Sequence, residues 1–474
     1  MFRLILAGKS ADSATRLAVH NPYDHSLVGE VAQAGCAEAK QALEAAERAR
    51  PATASLTRSD RARVLEHVAG RLEALKPELA ITVAKETGKT LREARTEVDR
   101  ARATFVAASE EARRLGGELV PFDAVPAGTG REGFYIRVPL GTVVAITPFN
   151  FPLNLVAHKV APAIAAGNPF ILKPASQTPL SALTLGNLVL EAGYPAEAVS
   201  VLPGRGDEIG TELVRDARPR MVTFTGSAEV GKRIGAQAGL KRLAMELGSN
   251  SAAVVTRSAD LEFAAQRIVQ GGYALAGQVC ISAQRILVDE AVFEEVTALV
   301  VKFASALRTG DQLDDGTDMG PVISLAAAQR LEGWVAKAVQ AGAEIRLGGK
   351  REGTVVKPIV LAGVPTDAEV WKEEAFGPVV CINPFKNLDQ ALRLVNASRY
   401  GLQAAIFTAS LDEAWQAIET LDVGGVIIND MPTYRVDHMP YGGVKDSGIG
   451  REGLKYAVDE MTEIKLVCFN FWRP

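Results

Sequence analysis

Cys280 lies in the segment GGYALAGQVCISAQR, residues 271–285, which contains neither a second cysteine nor a histidine. A buried cysteine most often behaves as a small hydrophobic residue. A cysteine thiolate, however, is a strong nucleophile that can form covalent intermediates. Which role applies to Cys280 depends on the groups that the fold brings near the thiol.

Two other groups that could do chemistry follow short apolar runs. Asn150 comes after GTVVAIT, residues 141–147, and offers a neutral amide donor, or alternatively caps the next helix. Glu246 lies near the end of RLAMEL, residues 242–247. A carboxylate there can serve as a general base, although most carboxylates at strand ends are simply solvated.

A further set of residues suits a nucleotide. Lys173 and Ser176 place a cation and a hydroxyl after the strand-like run PFILK, where a ribose would lie. Gly226 and Ser227 follow MVTFT and open a helix, so backbone N–H groups can approach a pyrophosphate. The segment LPGRGDEIG only nearly matches the dinucleotide fingerprint, so Gly206 is expected at most to line the adenine side.

The elements that must position these residues alternate between short strands and helices, from 141 to 246 and again from about 251 to 429. This alternation predicts an α/β fold with two doubly wound parallel sheets. Residues 36–116 show amphipathic helical periodicity almost throughout. The glycines and prolines of residues 116–141 predict a projecting hairpin, and the C-terminal tail is expected to be extended.

Composition excludes several classes of protein. The chain has 474 residues, 47% hydrophobic and 23% charged, with a net charge of −4, so no basic surface invites nucleic acid. Its four scattered cysteines form no metal motif and no disulfide framework, which favours a reducing compartment. No apolar run is long enough for a membrane helix or a signal peptide. We therefore expect a cytoplasmic protein without a metal site.

Seven motifs, in their order along the chain, resemble those of the aldehyde dehydrogenase superfamily. They are Pro148-Phe149-Asn150-Phe151-Pro152, Lys173-Pro174-Ala175, Phe224-Thr225-Gly226-Ser227, Glu246-Leu247-Gly248, Gly277-Gln278-Val279-Cys280, Glu374-Ala375-Phe376-Gly377-Pro378 and Pro440-Tyr441-Gly442-Gly443-Val444-Lys445-Asp446-Ser447-Gly448. The resemblance covers essentially the whole chain and implies an NAD(P)-dependent, hydrolytic enzyme that does not acylate CoA. It also implies three units and a homodimer or homotetramer: a dinucleotide-binding domain (1–120 and 141–246), a catalytic domain (247–430) and an oligomerisation hairpin and tail (121–140 and 455–474).

The resemblance assigns a role to each reactive group. Cys280 would add to the aldehyde, and the resulting alkoxide would lie between the Asn150 amide and the Cys280 backbone N–H. Hydride would pass to the nicotinamide, and Glu246 would activate water to hydrolyse the thioester. The site must then favour the thiolate, through the cationic nicotinamide and helix N–H groups. The small residues around Cys280 are expected to leave room for substrate and cofactor.

For the cofactor, NAD or NADP, the resemblance implies that Glu374 binds the nicotinamide ribose, with Phe376 packing nearby. Lys173 would reach the adenosine ribose, and Ser227 would contact a phosphate. The remaining expected cofactor contacts are Thr147, Pro148, Ser176, Gly206, Gly226 and Gly248.

Two positions depart from the family pattern. Ser176 stands where many members carry a glutamate after Lys-Pro-Ala. A carboxylate would repel a 2′-phosphate and serine does not, so NADP becomes possible; alternatively, Ser176 only caps a turn. Ser249 and Asn250 replace a commoner Gly-Lys pair, and nothing in the sequence explains this change.

The expected substrate contacts are Arg100 (or Arg102) on a helix and Arg435 and His438 in PTYRVDHMP. They are either ordinary surface charges or a clamp for an anionic tail, because guanidinium binds carboxylate or phosphate oxygens two at a time. Val279 stands where some phosphate-handling relatives place another arginine, which disfavours a doubly charged tail. We expect a short aldehyde that carries a hydroxyl or an acid group.

Three other functions compete with this prediction. In a CoA-acylating relative a thiol would resolve the thioester, but those resembling methylmalonate-semialdehyde dehydrogenase lack the glutamate that is present at position 246. A non-catalytic binding protein on the same fold would not need Cys280, Glu246 and Asn150 together. A cysteine hydrolase is disfavoured because none of the five histidines lies in a protease motif with Cys280.

Overall fold

The computed structural model describes residues 2–471, and within this range two large β-sheets are each covered by helices. The predicted α/β class with two parallel-sheet units is confirmed. None of the helices in the described range is long and apolar enough to cross a membrane.

Helices fill almost all of residues 36–114, as the periodicity predicts. Helices α2 and α4 each begin with a capping box, at Thr57 and Thr90 respectively. The elements of this half are β1 Leu4–Leu6, β2 Lys9–Ala11, β3 Arg16–His20, β4 Leu27–Ala32, α1 Cys36–Ser55, α2 Arg58–Ala74, α3 Lys76–Thr87, α4 Leu91–Arg114, β5 Leu119–Val120, β6 Arg131–Pro139, β7 Val143–Ile146, α5 Asn154–Ala166, β8 Phe170–Lys173, α6 Leu180–Glu191, β9 Val199–Val201, α7 Thr211–Arg215, β10 Met221–Thr225, α8 Ala228–Gln237 and β11 Arg242–Glu246.

The second half continues the alternation up to β21 and then returns to the first sheet. Its elements are β12 Ala252–Val255, α9 Leu261–Tyr273, β13 Arg285–Asp289, α10 Phe293–Ser305, α11 Leu325–Gln340, β14 Glu344–Leu347, β15 Arg351–Glu352, β16 Val355–Val356, β17 Ile359–Ala362, α12 Glu369–Lys372, β18 Val379–Phe385, α13 Leu388–Asn396, β19 Tyr400–Gly401, β20 Gln403–Phe407, α14 Leu411–Thr420, β21 Gly425–Ile428, β22 Val444–Lys445, β23 Gly448–Ile449, α15 Leu454–Glu460 and β24 Thr462–Asn470.

The first sheet has the order β2-β1-β9-β8-β7-β10-β11-β23 in the described chain. Its central strands β9, β8, β7, β10 and β11 run parallel, and antiparallel strands close both edges. Strands β7, β8 and β10 are buried on both faces because helices cover them. Their carboxyl ends therefore present Thr147, Lys173 and Gly226 at one edge of the sheet.

The second sheet has the order β14-β17-β18-β13-β12-β20-β21, again for the described residues. All its strands are parallel except the edge strand β14. It has a hydrophobic core of its own, which includes Ile286, Val380 and Phe407. The segment that carries Cys280 lies between α9 and β13, at the edge of this sheet that faces the first one.

The third sheet joins β6 to the C-terminal tail. Strand β24 pairs antiparallel with β6 along its whole length, and β5 pairs with the opposite edge of β6 over two residues. The predicted hairpin is thus short, and its long strand pairs mainly with the tail. The domain division stays a prediction, and the last tail residues, 472–474, lie outside the described range.

Candidate active site

The two large sheets face a single elongated cavity of about 1310 Å³. Most of the predicted site residues line it: Thr147, Pro148, Asn150, Lys173, Gly206, Gly226, Ser227, Glu246, Gly248, Cys280, Glu374 and Phe376, together with Arg100 and Arg435. Ser176 and His438 are not among the described residues that line it. The fold therefore brings together groups that lie far apart in the sequence.

Cys280 lies in a turn that follows a strained backbone segment. Leu275 and Ala276 have left-handed conformations, with φ of 49° and 51°, and such strain is concentrated at functional sites. Gly277 is left-handed as well, and a side chain there would overlap the carbonyl of Gly377. The expectation that small residues leave room for ligands is therefore wrong for Gly277, which is needed for close contact with the neighbouring loop.

The Cys280 thiol is only partly exposed, and its sulfur lies 3.0 Å from the hydroxyl oxygen of Tyr441. Burial raises the pKa of Cys280 to about 11, and the carboxyl groups of Glu374 and Glu246 act in the same direction. The Tyr441 hydrogen bond and the positive charge of Arg435 oppose this shift. The cofactor-free thiol is thus protonated at neutral pH. Cys280 itself lies in a turn rather than in the first turn of a helix, and the assistance from helix N–H groups stays a prediction.

Asn150 packs against the turn that carries Cys280. Its Nδ2 donates to the carbonyl oxygen of Gln278 at 2.9 Å, while its Oδ1 is buried without a partner. The alternative cap role is wrong, because Leu153 occupies the N-cap position of α5. Within residues 2–471 the backbone N–H of Cys280 makes no hydrogen bond. One amide hydrogen of Asn150 and this N–H are both available to an oxygen near the sulfur.

Glu246 ends β11 and is buried at the cavity wall, where its Oε2 has no hydrogen-bond partner in the described chain. Burial and the nearby carboxylate of Glu452 raise the pKa of Glu246 well above its usual value. The positive charges of Arg435 and Lys159 act against this rise. A carboxyl with a raised pKa and a free oxygen is suited to taking a proton from water.

The sequence did not indicate the ion pairs of Glu452, whose carboxylate lies near Glu246. Glu452 accepts from Lys159 at 3.0 Å and from Arg435 at 2.9 Å, and all three side chains are nearly inaccessible to solvent. Although burial opposes it, the two cations lower the pKa of Glu452 to about 2. Lys159 lies within the apolar helix α5 and Glu452 in an irregular turn, so no sequence pattern indicated either residue.

The cofactor side of the cavity contains polar groups that lack partners. The hydroxyls of Thr147 and Thr225 are buried without hydrogen bonds among the described residues. Lys173 is almost fully buried, donates to the carbonyl of Pro174 at 3.0 Å, and has its pKa lowered by burial to about 8. The hydroxyl of Ser227 caps α8 by accepting from the Val230 N–H. These groups fit a polar ligand such as a dinucleotide.

Glu374 lies deeper in the cavity, on the loop after α12. Its Oε1 accepts from the backbone N–H of Ser249 at 2.9 Å, and burial raises its pKa to about 7. A side chain at Gly248 would displace the Glu374 carboxyl from its present position, so glycine leaves room for this carboxyl to reach the Ser249 N–H. Phe376 packs edge-to-face on Phe149, with ring centroids 5.6 Å apart.

The structure gives a reason for the unusual Asn250. Its Nδ2 donates to the carbonyl oxygens of Trp371 and Lys372, at 3.0 Å each, and its Oδ1 accepts from Ser398. Asn250 therefore fixes the loop that leads to Glu374. The backbone N–H of Ser249 donates directly to the Glu374 carboxyl. Together the two residues orient the Glu374 carboxyl.

The expected substrate residues differ in their placement. Arg100 donates from Nε and Nη2 to Asp437, at 3.1 and 2.7 Å. Arg435 donates from Nη2 to Glu452, and its Nε is buried without a partner in the described chain. Each guanidinium thus retains free donors towards the cavity. His438 is exposed, so the expectation of a substrate contact from this residue lacks structural support.

Ser176 is half-buried, and its hydroxyl donates to the carbonyl oxygen of Gly204 at 3.0 Å. It therefore ties two loops at the adenine end together, in keeping with the alternative of a turn-stabilising role. Its neighbours Ala175 and Gln177 line the cavity, so the loop itself borders the cofactor region. The effect of Ser176 on cofactor choice stays a prediction.

The model of the aldehyde dehydrogenase family matches residues 9–467. The chain belongs to this family. It is 44% identical to a 3-sulfolactaldehyde dehydrogenase of Priestia megaterium, over 99% of this chain and 98% of the relative. It is 39% identical to a lactaldehyde dehydrogenase of Methanocaldococcus jannaschii, over 95% and 97% of the two chains.

Solved structures of aldehyde dehydrogenases agree with this fold. Aldehyde dehydrogenase 21 of Physcomitrella patens, in complex with its reaction product succinate, superposes with a TM-score of 0.97 at 42% identity, covering 99% of this chain and 98% of that one. A glyceraldehyde-3-phosphate dehydrogenase of Methanocaldococcus jannaschii, complexed with NADP, gives 0.93 at 38% identity over 96% and 99%. The predicted NAD(P)-dependent aldehyde dehydrogenase is confirmed.

Proposed function

We propose that this enzyme oxidises a small aldehyde to its carboxylate through a covalent bond to Cys280. The observation that carries the proposal is that the Cys280 thiol, the Asn150 amide and the Glu246 carboxyl line the same cavity. Each group has unused hydrogen-bonding capacity there. The same cavity is lined by the partnerless hydroxyls of Thr147 and Thr225, which suit a dinucleotide.

In the first step the Cys280 thiolate adds to the aldehyde carbon. The carbonyl oxygen becomes an alkoxide, which the second amide hydrogen of Asn150 and the backbone N–H of Cys280 stabilise. Donors that are fixed before the reaction stabilise such an oxyanion without reorganisation. Collapse of the adduct breaks the C–H bond of the former aldehyde carbon with loss of hydride and leaves a thioester on Cys280.

The residues that would hold the cofactor are Lys173, Ser227 and Glu374, with Thr147 and Thr225 nearby. When bound, the oxidised nicotinamide supplies the hydride acceptor. Glu246 then removes a proton from water, and the hydroxide attacks the thioester carbon and releases the carboxylate and the Cys280 thiolate. Its raised pKa suits this role, because the carboxylate is then a stronger base towards water.

Replacing Cys280 with Ala tests the covalent mechanism. Oxidation should become undetectable, while the dissociation constant for NADH, measured by fluorescence titration, should stay within about two-fold, because no cofactor contact is removed. An unchanged melting temperature serves as the control for folding. Normal turnover in Cys280→Ala would refute the proposal.

For the substrate, we propose a short aldehyde with an acidic tail, which Arg100 and Arg435 bind through their free N–H groups. Two relatives support this class by name: the Physcomitrella patens enzyme contains succinate, and the Priestia megaterium relative is a 3-sulfolactaldehyde dehydrogenase. Both arginines are already paired with carboxylates. The nearby Asp437 and Glu452 carboxylates offset part of this positive charge, which disfavours a doubly charged tail more than a singly charged one.

Arg100→Met tests this substrate class, and Arg102→Met is the matched control. Arg102 lies on the same helix but pairs with Glu73. Hydrogen bonds to a charged group typically change affinity by about 10- to 100-fold. Arg100→Met should lower kcat/KM for succinic semialdehyde by this factor and leave hexanal nearly unchanged. An equal effect on both aldehydes, or an effect of Arg102→Met as large, would exclude the arginine clamp.

The enzyme is proposed to form a homodimer or homotetramer through the three-stranded sheet. The tail strand exposes Ile464, Leu466 and Phe469, and β5 exposes Leu119, which is an unusual number of apolar side chains on one small sheet. Light scattering of the purified chain tests this directly. The four free cysteines favour a reducing compartment, and we infer a cytoplasmic location on that basis.

A further inference from the structure

The hydroxyl of Tyr441 has one hydrogen-bond partner in the described chain, the sulfur of Cys280 at 3.0 Å. The tyrosine is almost completely buried, and it reaches the thiol from the segment between β21 and β22, where it packs in one apolar cluster with Val279 and Ile281. A buried hydroxyl normally bonds to a backbone carbonyl or another oxygen. The Tyr441 hydroxyl instead bonds to the sulfur of Cys280, which is the reactive atom.

The ring of Tyr441 is held firmly. The Arg435 guanidinium lies 3.7 Å from the ring centroid, and Glu452 fixes that guanidinium through an ion pair. Burial raises the pKa of Tyr441 well above its usual value, with the Cys280 thiolate as the next contribution. The hydroxyl therefore keeps its proton throughout the pH range in which the enzyme works, and it can donate at any time.

We propose that Tyr441 stabilises and orients the Cys280 thiolate by donating a hydrogen bond to its sulfur. In the resting thiol either atom can be the donor. When the thiol loses its proton to water in the cavity, the electron pair stays on sulfur and the tyrosine hydroxyl turns to donate to it, keeping its own proton. The hydrogen bond weakens once sulfur bonds to the substrate carbon, because a thioether or thioester sulfur is a poor acceptor.

This role is needed because the other surroundings of Cys280 are unfavourable to a thiolate. The carboxyl groups of Glu374 and Glu246 face the sulfur and disfavour a negative charge, as does burial. The positive charge of Arg435 favours the anion, but its guanidinium lies against the tyrosine ring. Tyr441 supplies the only direct side-chain donor to the sulfur within the described residues.

The test is the pH dependence of Cys280 alkylation by iodoacetamide in the full-length enzyme without cofactor. Peptide mass spectrometry separates Cys280 from the accessible Cys36 and Cys468. Tyr441→Phe removes the hydroxyl but keeps the ring beneath Arg435. Tyr194→Phe is the matched control, because it removes another buried hydroxyl, which donates to the Asn168 carbonyl in the core of the first sheet.

In Tyr441→Phe the apparent pKa of Cys280 should rise by about one to two units, since hydrogen bonds to charged groups are worth about 10- to 100-fold in an equilibrium. The alkylation rate below that pKa should fall by the same factor, and the rising limb of kcat/KM should move with it. Tyr194→Phe should leave both unchanged. An unchanged pKa in Tyr441→Phe, or an equal shift in both variants, would overturn the proposal.

The role of Tyr441 rests on the proposed function of Cys280, but the two fail in different ways. Alkylation reports the thiolate without any turnover, so its pKa shift is measurable whatever Cys280 does. If Cys280→Ser keeps full aldehyde oxidation, the proposed function fails. If Cys280→Ser is inactive and Tyr441→Phe leaves the thiol pKa unchanged, only the role of Tyr441 fails.

Discussion

Replacing Glu246 with Gln should separate the two halves of the reaction. Gln has the same shape, and the Oε2 that it replaces has no hydrogen-bond partner in the described chain. The substitution therefore removes the base with little loss of packing. Addition of the thiol and loss of hydride do not need this base, whereas hydrolysis of the thioester does. We expect one equivalent of reduced cofactor per active site in a rapid burst, followed by a stalled steady state.

The size of the effect follows from the role. General-base assistance typically contributes about 10²- to 10⁴-fold, which corresponds to about 3 to 5 kcal/mol of barrier. Stopped-flow absorbance of the reduced cofactor measures both the burst and the slow phase. Hydroxylamine, which cleaves thioesters without a protein base, should restore turnover in the variant.

Stability provides an independent readout of the same substitution. A carboxyl whose pKa is raised in the folded state stabilises the fold below its unfolded pKa, and this contribution is lost as the pH rises through the folded value. Burial and Glu452 raise the pKa of Glu246. Glu246→Gln should therefore melt higher than the native enzyme at pH 8 and about equally at pH 4. If the burst disappears together with turnover, Glu246 acts before the thioester, and this reasoning is wrong.

Two further predictions concern the cofactor. Ser176→Glu should lower kcat/KM with NADP more than with NAD. The difference should correspond to about 1 to 4 kcal/mol of repulsion between the new carboxylate and the 2′-phosphate. Equal losses with both cofactors would show that Ser176 does not face the ribose. Burial raises the pKa of Glu374 to about 7, and its ionised form is the better acceptor for ribose hydroxyls. Affinity for NADH should therefore weaken by up to about ten-fold per pH unit below 7. In Glu374→Gln, cofactor fluorescence titrations should give an affinity that does not change with pH. If the affinity of that variant still falls at low pH, another group titrates.

Much of the framework is readable from the sequence because local physics dictates it. Helices α1–α4 follow from periodicity and capping residues, and buried strands such as β7 and β10 follow from short apolar runs. The carboxyl ends of parallel strands meet at one edge, so Thr147 and Glu246 were expected near a ligand. The confirmed fold rests on these regular features, and the confirmed family rests on the seven motifs.

The rest of the site depends on long-range packing that leaves no local pattern. Tyr441 and Glu452 reach Cys280 and Glu246 only because β23 pairs with β11. The requirement for glycine at position 277 comes from a loop about a hundred residues later in the chain. His438 lies in an irregular segment, where neither periodicity nor turn chemistry predicts which side chains face inwards.

The return of β23 to the strand that ends in Glu246 has a consequence for how such enzymes diversify. Residues 430–452 carry Arg435, Asp437, Tyr441 and Glu452, whereas the cofactor contacts proposed here come from residues 147–248 and 374–376. A recombination that exchanged residues 430–452 alone would alter the surroundings of the aldehyde, and it would also replace Ser447, which bonds to the backbone of Leu247 and Gly248 beside the nucleotide pocket. An exchanged segment can therefore change aldehyde preference without disturbing the coenzyme only if its new sequence still pairs with β11.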